Sequence, residues 1–252
     1  MNEYSELQRL VECKHDIVSS RRITNLQNCL LRFSYMVDGE MSGGMGFLLD
    51  KGGYFVTNNH VLGNVKESRV IFNNDENNKS PITLCKSSIC DLLLGKCDVP
   101  DEIKENFPKL YLNKDKVGPG EQIFAYFLSD DGFTLDKGII KCRDINEEYS
   151  EKIRKKKVLK TSYSSDLKKG KPGCSGSPVF RKKTGELLGV TWGEGVATKY
   201  LFSFNEEDFE RRHYFVRIEY VKQMLNHYLE NVKKEEPKKK PFFNISNIFF
   251  KR

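Results

Sequence analysis

The sequence predicts an all-β protein, a barrel or sandwich of short strands, with a helix near its C-terminal end. From Cys29 onward, short runs rich in β-branched and aromatic residues are separated by clusters of Gly, Asn, Asp and Lys, as strands are by turns. Helices do not alternate with these runs, which disfavours a Rossmann-like parallel sheet. Only in EYVKQMLNHYLENV do apolar residues, Val221, Met224, Leu225, Tyr228 and Leu229, recur at intervals of three and four, the mark of one helical face.

In chain order, Leu7, Leu10, Val11, Ile17 and Val18 stand at loosely helical spacing within residues 4–18, so residues 1–28 read as a helical N-terminal extension. The strand runs are CLLRFSYMV, GMGFLLD, YFVTNNHVL, RVIF, ITLC, DLLL, QIFAYFL, GIIKC, KVLKT, SPVF, LLGVTW, YLFSF and HYFVRI. Together with the helix they form one unit over residues 29–230. Residues 231–252 read as a basic, flexible tail ending in the aromatic patch PFFNISNIFF. No repeat of fixed period runs through the chain, which argues against a solenoid or propeller.

Bulk properties narrow the class. At 252 residues, with 38% hydrophobic and 31% charged, the chain holds one functional unit with enough apolar side chains for a core. No apolar stretch has the length of a membrane span, and the start MNEYSELQRL lacks the basic and apolar regions of a signal peptide. The seven cysteines are an odd set without the spacing of a small disulfide framework. These features predict an intracellular protein, cytoplasmic or nuclear, with reduced thiols and no membrane role. Cys85, Cys90 and Cys97 have irregular spacing and lack a fourth ligand nearby, so no metal or cofactor is expected. Much of the net charge of +7 comes from Lys233, Lys234, Lys238, Lys239, Lys240, Lys251 and Arg252. Such a tail attracts nucleic acid or anionic lipid, but a solvated tail is the plainer reading, and nucleic acid is not expected to be the main partner. The oligomeric state is not legible.

The chemistry concentrates in Gly173-Cys174-Ser175-Gly176-Ser177-Pro178. A serine between glycines allows a tight backbone that exposes Oγ and turns neighbouring N–H groups toward one point, as serine-based acyl transfer requires. With the following ELLGVTWG, the segment resembles the trypsin/chymotrypsin-like serine protease family, particularly its disulfide-free, HtrA-like members. Gly44-Met45-Gly46-Phe47-Leu48-Leu49 and Tyr54-Phe55-Val56-Thr57-Asn58-Asn59-His60-Val61-Leu62 are similar to that family's glycine-x-glycine strand and histidine turn. The resemblance covers about residues 29–230 and implies a trypsin-like peptidase domain of two six-stranded antiparallel β-barrels with a C-terminal helix.

It also implies a serine endopeptidase acting on protein or peptide through a catalytic triad of His60, Asp91 and Ser175 and an acyl-enzyme. Asp91 begins an apolar strand between the histidine and the serine; Asp98 is its main competitor and Asp75 a weaker one. The chain order His, Asp, Ser agrees with chymotrypsin-like enzymes and with neither subtilisin nor the α/β-hydrolases. Gly173 and Ser175 would supply the oxyanion-hole amides, and Thr191, Trp192 and Gly193 the edge strand that pairs with substrate. Lys169 either reaches the pocket floor, with a preference for acidic side chains, or faces solvent, and His213 either lines the pocket or serves the strand HYFVRI structurally. Cys174 replaces the aspartate of zymogen-activated relatives, so the oxyanion loop must be shaped without N-terminal processing or by a partner. A catalytically inactive module that binds a peptide or partner in the same cleft is the alternative.

Overall fold

The structure is a computed structural model that describes residues 5–12, 25–72, 75–77, 80–87, 90–115, 117–129, 132–142, 162–198 and 209–235. The expected strands KVLKT and YLFSF, the tail beyond residue 235, and the Ile17–Val18 part of the N-terminal pattern lie outside the described residues.

The first lobe is a seven-stranded sheet built from β1 (Leu30–Val37), β2 (Glu40–Leu48), β3 (Tyr54–Asn58), β4 (Arg69–Phe72), β5 (Asp75–Asn77), β6 (Ile82–Ser87) and β7 (Leu92–Lys96). Its order is β5-β4-β1-β2-β3-β7-β6. β3 and β7 are buried nearly throughout and read as continuous apolar runs, YFV and LLL, because they occupy the middle of this sheet. The second lobe is a closed six-stranded barrel of β8 (Gln122–Ser129), β9 (Gly132–Cys142), β10 (Ser162–Ser165), β11 (Pro178–Arg181), β12 (Leu187–Thr198) and β13 (Phe209–Arg217). Its interior is filled by Ile123, Ala125, Phe127, Ile140, Tyr163, Val179, Leu188 and Phe215. These side chains come from alternate positions of facing strands, as inward positions of a barrel must.

The expectation of an all-β fold with two six-stranded barrels is corrected on both counts. The described residues include four α-helices, α1 (Ser5–Glu12), α2 (Asn59–Leu62), α3 (Asp101–Glu105) and α4 (Ile218–Glu235), so the fold is mixed α/β. Only the second lobe closes; the first sheet ends at β5 and β6, which do not pair with each other. The physical reason lies at the β6 edge. Cys85, Lys86, Ser87 and nearby Cys90 share a surface hollow with Tyr220, Gln223, Met224 and His227 of α4, so the β6 end of the sheet packs against a helix and not against β5. Val221, Met224, Leu225 and Leu229 are buried in the first lobe's core, as the helical pattern predicts, and α1 packs its buried Leu7 and Leu10 onto α4.

The turn between β2 and β3 contains Asp50, which is 2% exposed and accepts the Tyr54 amide on Oδ1 at 3.1 Å. Burial raises its carboxyl to about 6, against the pull of that hydrogen bond. The fold therefore favours protonated Asp50. That contribution is complete below the ordinary value of 3.8 and is lost as the pH rises through about 6. The loss amounts to about 3 kcal/mol. Asp50→Asn keeps an acceptor for Tyr54 without the charge. Its Tm relative to the parent should therefore be several degrees higher at pH 8 than at pH 4, measured by thermal melts at both; an unchanged difference would show that Asp50 ionises freely.

Candidate active site

His60 follows directly from β3. Asn58 ends the strand in an extended conformation, and residues Asn59–Leu62 make the single turn α2, whose first amides need acceptors. Asp91 provides them from the residue before β7: its carbonyl accepts Asn59 N–H at 2.9 Å and its Oδ1 accepts His60 N–H at 2.9 Å. The other oxygen, Oδ2, lies 2.5 Å from His60 Nδ1. One carboxylate thus caps the turn that carries the histidine and also holds the ring. Asp91 reaches both donors by adopting φ +54°, in the left-handed region that aspartate enters more readily than most residues. The Asp91 side chain is 11% exposed and that of His60 34%, so the ring presents an edge to solvent while its partner is sheltered. An Nδ1–H donated to Asp91 leaves Nε2 as a proton acceptor. Among the described side chains, Asp91 and not its competitor Asp98 makes this contact with His60; the side chain of Asp75 lies outside them.

Ser175 comes from the second lobe, on the loop between β10 and β11. The loop is folded by Cys174 N–H on Lys171 O at 3.0 Å, Ser177 N–H on Cys174 O at 3.2 Å and Ser177 Oγ on the same carbonyl at 2.7 Å. It is sewn to β12 by Gly176 N–H on Thr191 O at 2.7 Å and Thr191 N–H on Ser177 O at 2.8 Å. Gly176 has φ +95°, and a Cβ there would overlap the Met45 carbonyl and come within 2.7 Å of Thr57 Oγ1. Only glycine lets the loop approach the first lobe this closely.

That approach joins the lobes. Met45 N–H of β2 donates to the carbonyl of Ser175 at 2.8 Å, and Thr57 Oγ1, on the strand leading to His60, donates to Met45 O at 2.6 Å. The Ser175 backbone is therefore held by the strand next to the one that delivers the histidine. The Ser175 hydroxyl itself donates to Trp192 O at 3.2 Å and not to His60. The N–H groups of Gly173 and Ser175 have no partner among the described residues, and Gly173, at φ +93°, has open space where a Cβ would stand. Neighbouring Cys174 points the other way, into the barrel core at 2% exposure, where burial raises its thiol.

Of the predicted substrate-strand residues, Thr191 and Trp192 are buried and Gly193 is half-buried. The pairing of β12 with β13 shifts between Thr191 and Gly193, leaving Trp192 opposite no residue. Its ring is fixed by Nε1–H on Ser162 Oγ at 2.9 Å and by Tyr214, 6.0 Å away between centroids. Of the two readings of Lys169, inward or solvent-facing, the structure has the second: its Nζ donates to Leu135 O at 3.1 Å, across on β9.

Sequence reasoning missed Asp136. This carboxylate, 7% exposed on β9, accepts the amides of Lys168 and Lys169 on Oδ2 at 2.6 and 2.7 Å, and that of Lys137 on Oδ1 at 2.9 Å. It pins the start of the loop that ends in Ser175. The available signal was alternation: in GFTLDKGII, Asp136 shares the inward face with Ile140, an unusual place for a charge. Asp136→Ala strips three amides of a charged acceptor and is expected to cost ~2 to 4 kcal/mol of stability. Asp136→Asn, which keeps an acceptor, should recover at least half of that in chemical denaturation; equal stability of parent and alanine variant would show the anchor to be dispensable.

The comparisons with known proteins agree with this architecture. The chain resembles the solved structure of the HtrA-type protease AlgW with tripeptide at 18% identity and a TM-score of 0.62, covering 84% of this chain and 64% of that one. It resembles the serine endoprotease from Yersinia pestis at 16% identity and a TM-score of 0.59, covering 88% of this chain and 69% of that one. The chain therefore spans about two thirds of the length of these proteins, and at such identities the likeness shows the fold. No curated protein matches. The family model described as trypsin-like peptidase domain matches residues 44–190, more than half of the sequence and the whole stretch from the glycine strand of β2 to the strand after the Ser175 loop. The chain belongs to the trypsin-like peptidase domain family.

Proposed function

We propose that the chain is a serine endopeptidase that cleaves protein or peptide substrates with Ser175 as nucleophile, His60 as general base and acid, and Asp91 as the group that orients His60. The observation that carries this reading is the double grip of Asp91 on His60, through Oδ1 on the backbone and Oδ2 on the ring. A structural aspartate at a helix start needs only the first contact. The second fixes the tautomer and stabilises the imidazolium that forms when His60 takes a proton.

On this reading a substrate chain lies extended along Thr191–Gly193, and Ser175 Oγ leaves Trp192 O by rotation about χ1 to face His60. Oγ attacks the scissile carbonyl carbon as its proton passes to His60 Nε2. The oxyanion is met by the N–H groups of Gly173 and Ser175, which have no other partner among the described residues. Collapse of the tetrahedral intermediate breaks the C–N bond, His60 protonates the leaving amine, and an acyl-Ser175 ester remains. Water, deprotonated by His60, hydrolyses the ester. Cys174 is unsuited to the nucleophile's part because burial holds its thiol protonated and its side chain points into the barrel.

A second reading rests on the Ser175–Trp192 hydrogen bond: a module of this fold that keeps its hydroxyl on a backbone carbonyl binds an extended peptide without cutting it. Incubation of the purified chain with casein separates the two. The peptidase reading expects new N-termini that accumulate with time; casein that is retained but stays intact contradicts it and supports the binding module.

A further inference from the structure

Two hydrogen-bonded turns follow one another across Ser175. The first runs from Lys171 to Cys174 and is closed by Cys174 N–H on Lys171 O at 3.0 Å. Pro172 locks its own φ at about −65°, and Gly173 stands at φ +93°, which makes this turn type II. The second runs from Cys174 to Ser177, with Gly176 at φ +95°, and is closed by Ser177 N–H on Cys174 O at 3.2 Å. That bond is long. The closer contact on the same carbonyl comes from a side chain, the Ser177 hydroxyl at 2.7 Å.

A trans peptide is planar, with its C=O and N–H on opposite sides. The carbonyl of Cys174 and the N–H of Ser175 belong to one such plane. Whatever holds the carbonyl into the loop therefore turns the N–H out of it. The neighbouring planes have other ties: Cys174 N–H on Lys171 O before, Met45 N–H on Ser175 O and Gly176 N–H on Thr191 O after. The plane between them is held through the Cys174 carbonyl, because the Ser175 N–H has no partner among the described residues. Ser177 is a firm anchor for that carbonyl. It is 0% exposed, its own carbonyl accepts Thr191 N–H of β12 at 2.8 Å, and Met45 Sδ lies 2.9 Å from its Oγ. A thioether is the weaker acceptor, so the single hydroxyl proton goes to Cys174 O. From Gly173 to Pro178 the loop has no charged side chain, so no ion pair shares this task.

We propose that Ser177 is a positioning residue for catalysis: its hydroxyl fixes the Cys174–Ser175 peptide in the orientation that aims the Ser175 N–H at the oxyanion. The hole is then built within the loop itself, before substrate arrives and without N-terminal processing. A donor fixed in advance needs no reorganisation as charge develops on the scissile oxygen, and its value lies there. Without the hydroxyl, the 3.2 Å contact alone restrains the plane.

This inference rests on the peptidase reading, and its test uses a fluorogenic peptide spanning a bond that the parent cuts in casein. Two inhibitors carry the same acyl-side residues. One is a trifluoromethyl ketone: Ser175 Oγ bonds to its carbonyl carbon, the Oγ proton passes to His60, and the carbonyl electron pair moves onto the oxygen as an oxyanion. The other is the corresponding alcohol, which has no carbonyl to attack. Ser177→Ala and Ser177→Gly are each expected to lower kcat at least about 10-fold while KM stays within about twofold. Affinity for the ketone should fall by a similar factor and affinity for the alcohol should hold, in variants that still melt cooperatively. Equal losses for ketone and alcohol, or a raised KM at unchanged kcat, would make Ser177 a residue that only shapes the cleft and would overturn the proposal. A kcat within about threefold of the parent overturns it too, and leaves the peptidase reading standing. A parent that neither cuts casein nor takes a fluorophosphonate label removes the peptidase reading and this inference with it.

Discussion

Ser175→Ala should reduce peptide hydrolysis by about five orders of magnitude, a loss of about 7 kcal/mol of transition-state stabilisation, without disturbing the fold. The structural side of this expectation is specific. Ser175 Oγ makes one hydrogen bond, to Trp192 O, whereas the contacts that hold the loop are made by the Ser175 carbonyl to Met45, by Gly176 N–H to Thr191 and by Ser177. All of them survive removal of a hydroxyl. The variant should therefore melt within about a degree of the parent, since partly exposed side-chain changes that break no packing fall within ~0.5 kcal/mol. Binding of an uncleaved peptide should persist, because the strand Thr191–Gly193 and the oxyanion amides remain. Undiminished cleavage by a well-folded Ser175→Ala protein would assign the chemistry to another residue.

The second large effect is expected at Asp91. Asp91→Asn tests chemistry with little disturbance of the backbone, because asparagine accepts the left-handed conformation, here φ +54°, as readily as aspartate does. The amide oxygen of the substituted side chain can still receive His60 N–H, so the turn α2 keeps its cap. What changes is the group facing His60 Nδ1: an NH2 replaces an acceptor, the ring must present a lone pair there, and Nε2 becomes the protonated nitrogen. The base then points its proton at the nucleophile. A fall in kcat of about 10⁴ at neutral pH is expected from the wrong tautomer. Activity within tenfold of the parent would mean that Asp91 serves only as a helix cap.

How much of this was legible in the sequence follows from the range of each interaction. The Ser175 loop shows itself because its backbone demands are local: glycines at 173 and 176 take φ of +93° and +95°, conformations that side chains rarely adopt. The strand leading to His60 is visible for the same kind of reason, as an apolar run that ends in a polar turn. Asp91 could be chosen only by its place before the strand Leu92–Lys96, and the contact that distinguishes it from Asp98 spans 31 positions of sequence.

Closure of the first sheet was not legible at all. Alternation and turn residues report which neighbours form hairpins, but whether β5 meets β6 depends on contacts far apart in sequence, such as that of β6 with α4, some 130 residues later. The bond from Met45 to Ser175 joins backbone atoms, so side-chain identity carries no trace of it beyond the missing Cβ at Gly176. Lys169 leaves two readings open in the sequence for a simpler reason. A lysine six residues before the serine has the length to turn inward, yet its charge finds Leu135 O at the surface without the cost of desolvation.

The most direct test of the account is to treat the protein with a serine-directed fluorophosphonate and locate the adduct by tandem mass spectrometry of its peptides. The account predicts a single stoichiometric phosphonyl group on Ser175, formed at least a thousandfold more slowly when His60 is replaced by alanine, about the loss expected when the general base is removed. An adduct on Cys174 or on another hydroxyl, or equal labelling with and without the imidazole, would contradict it.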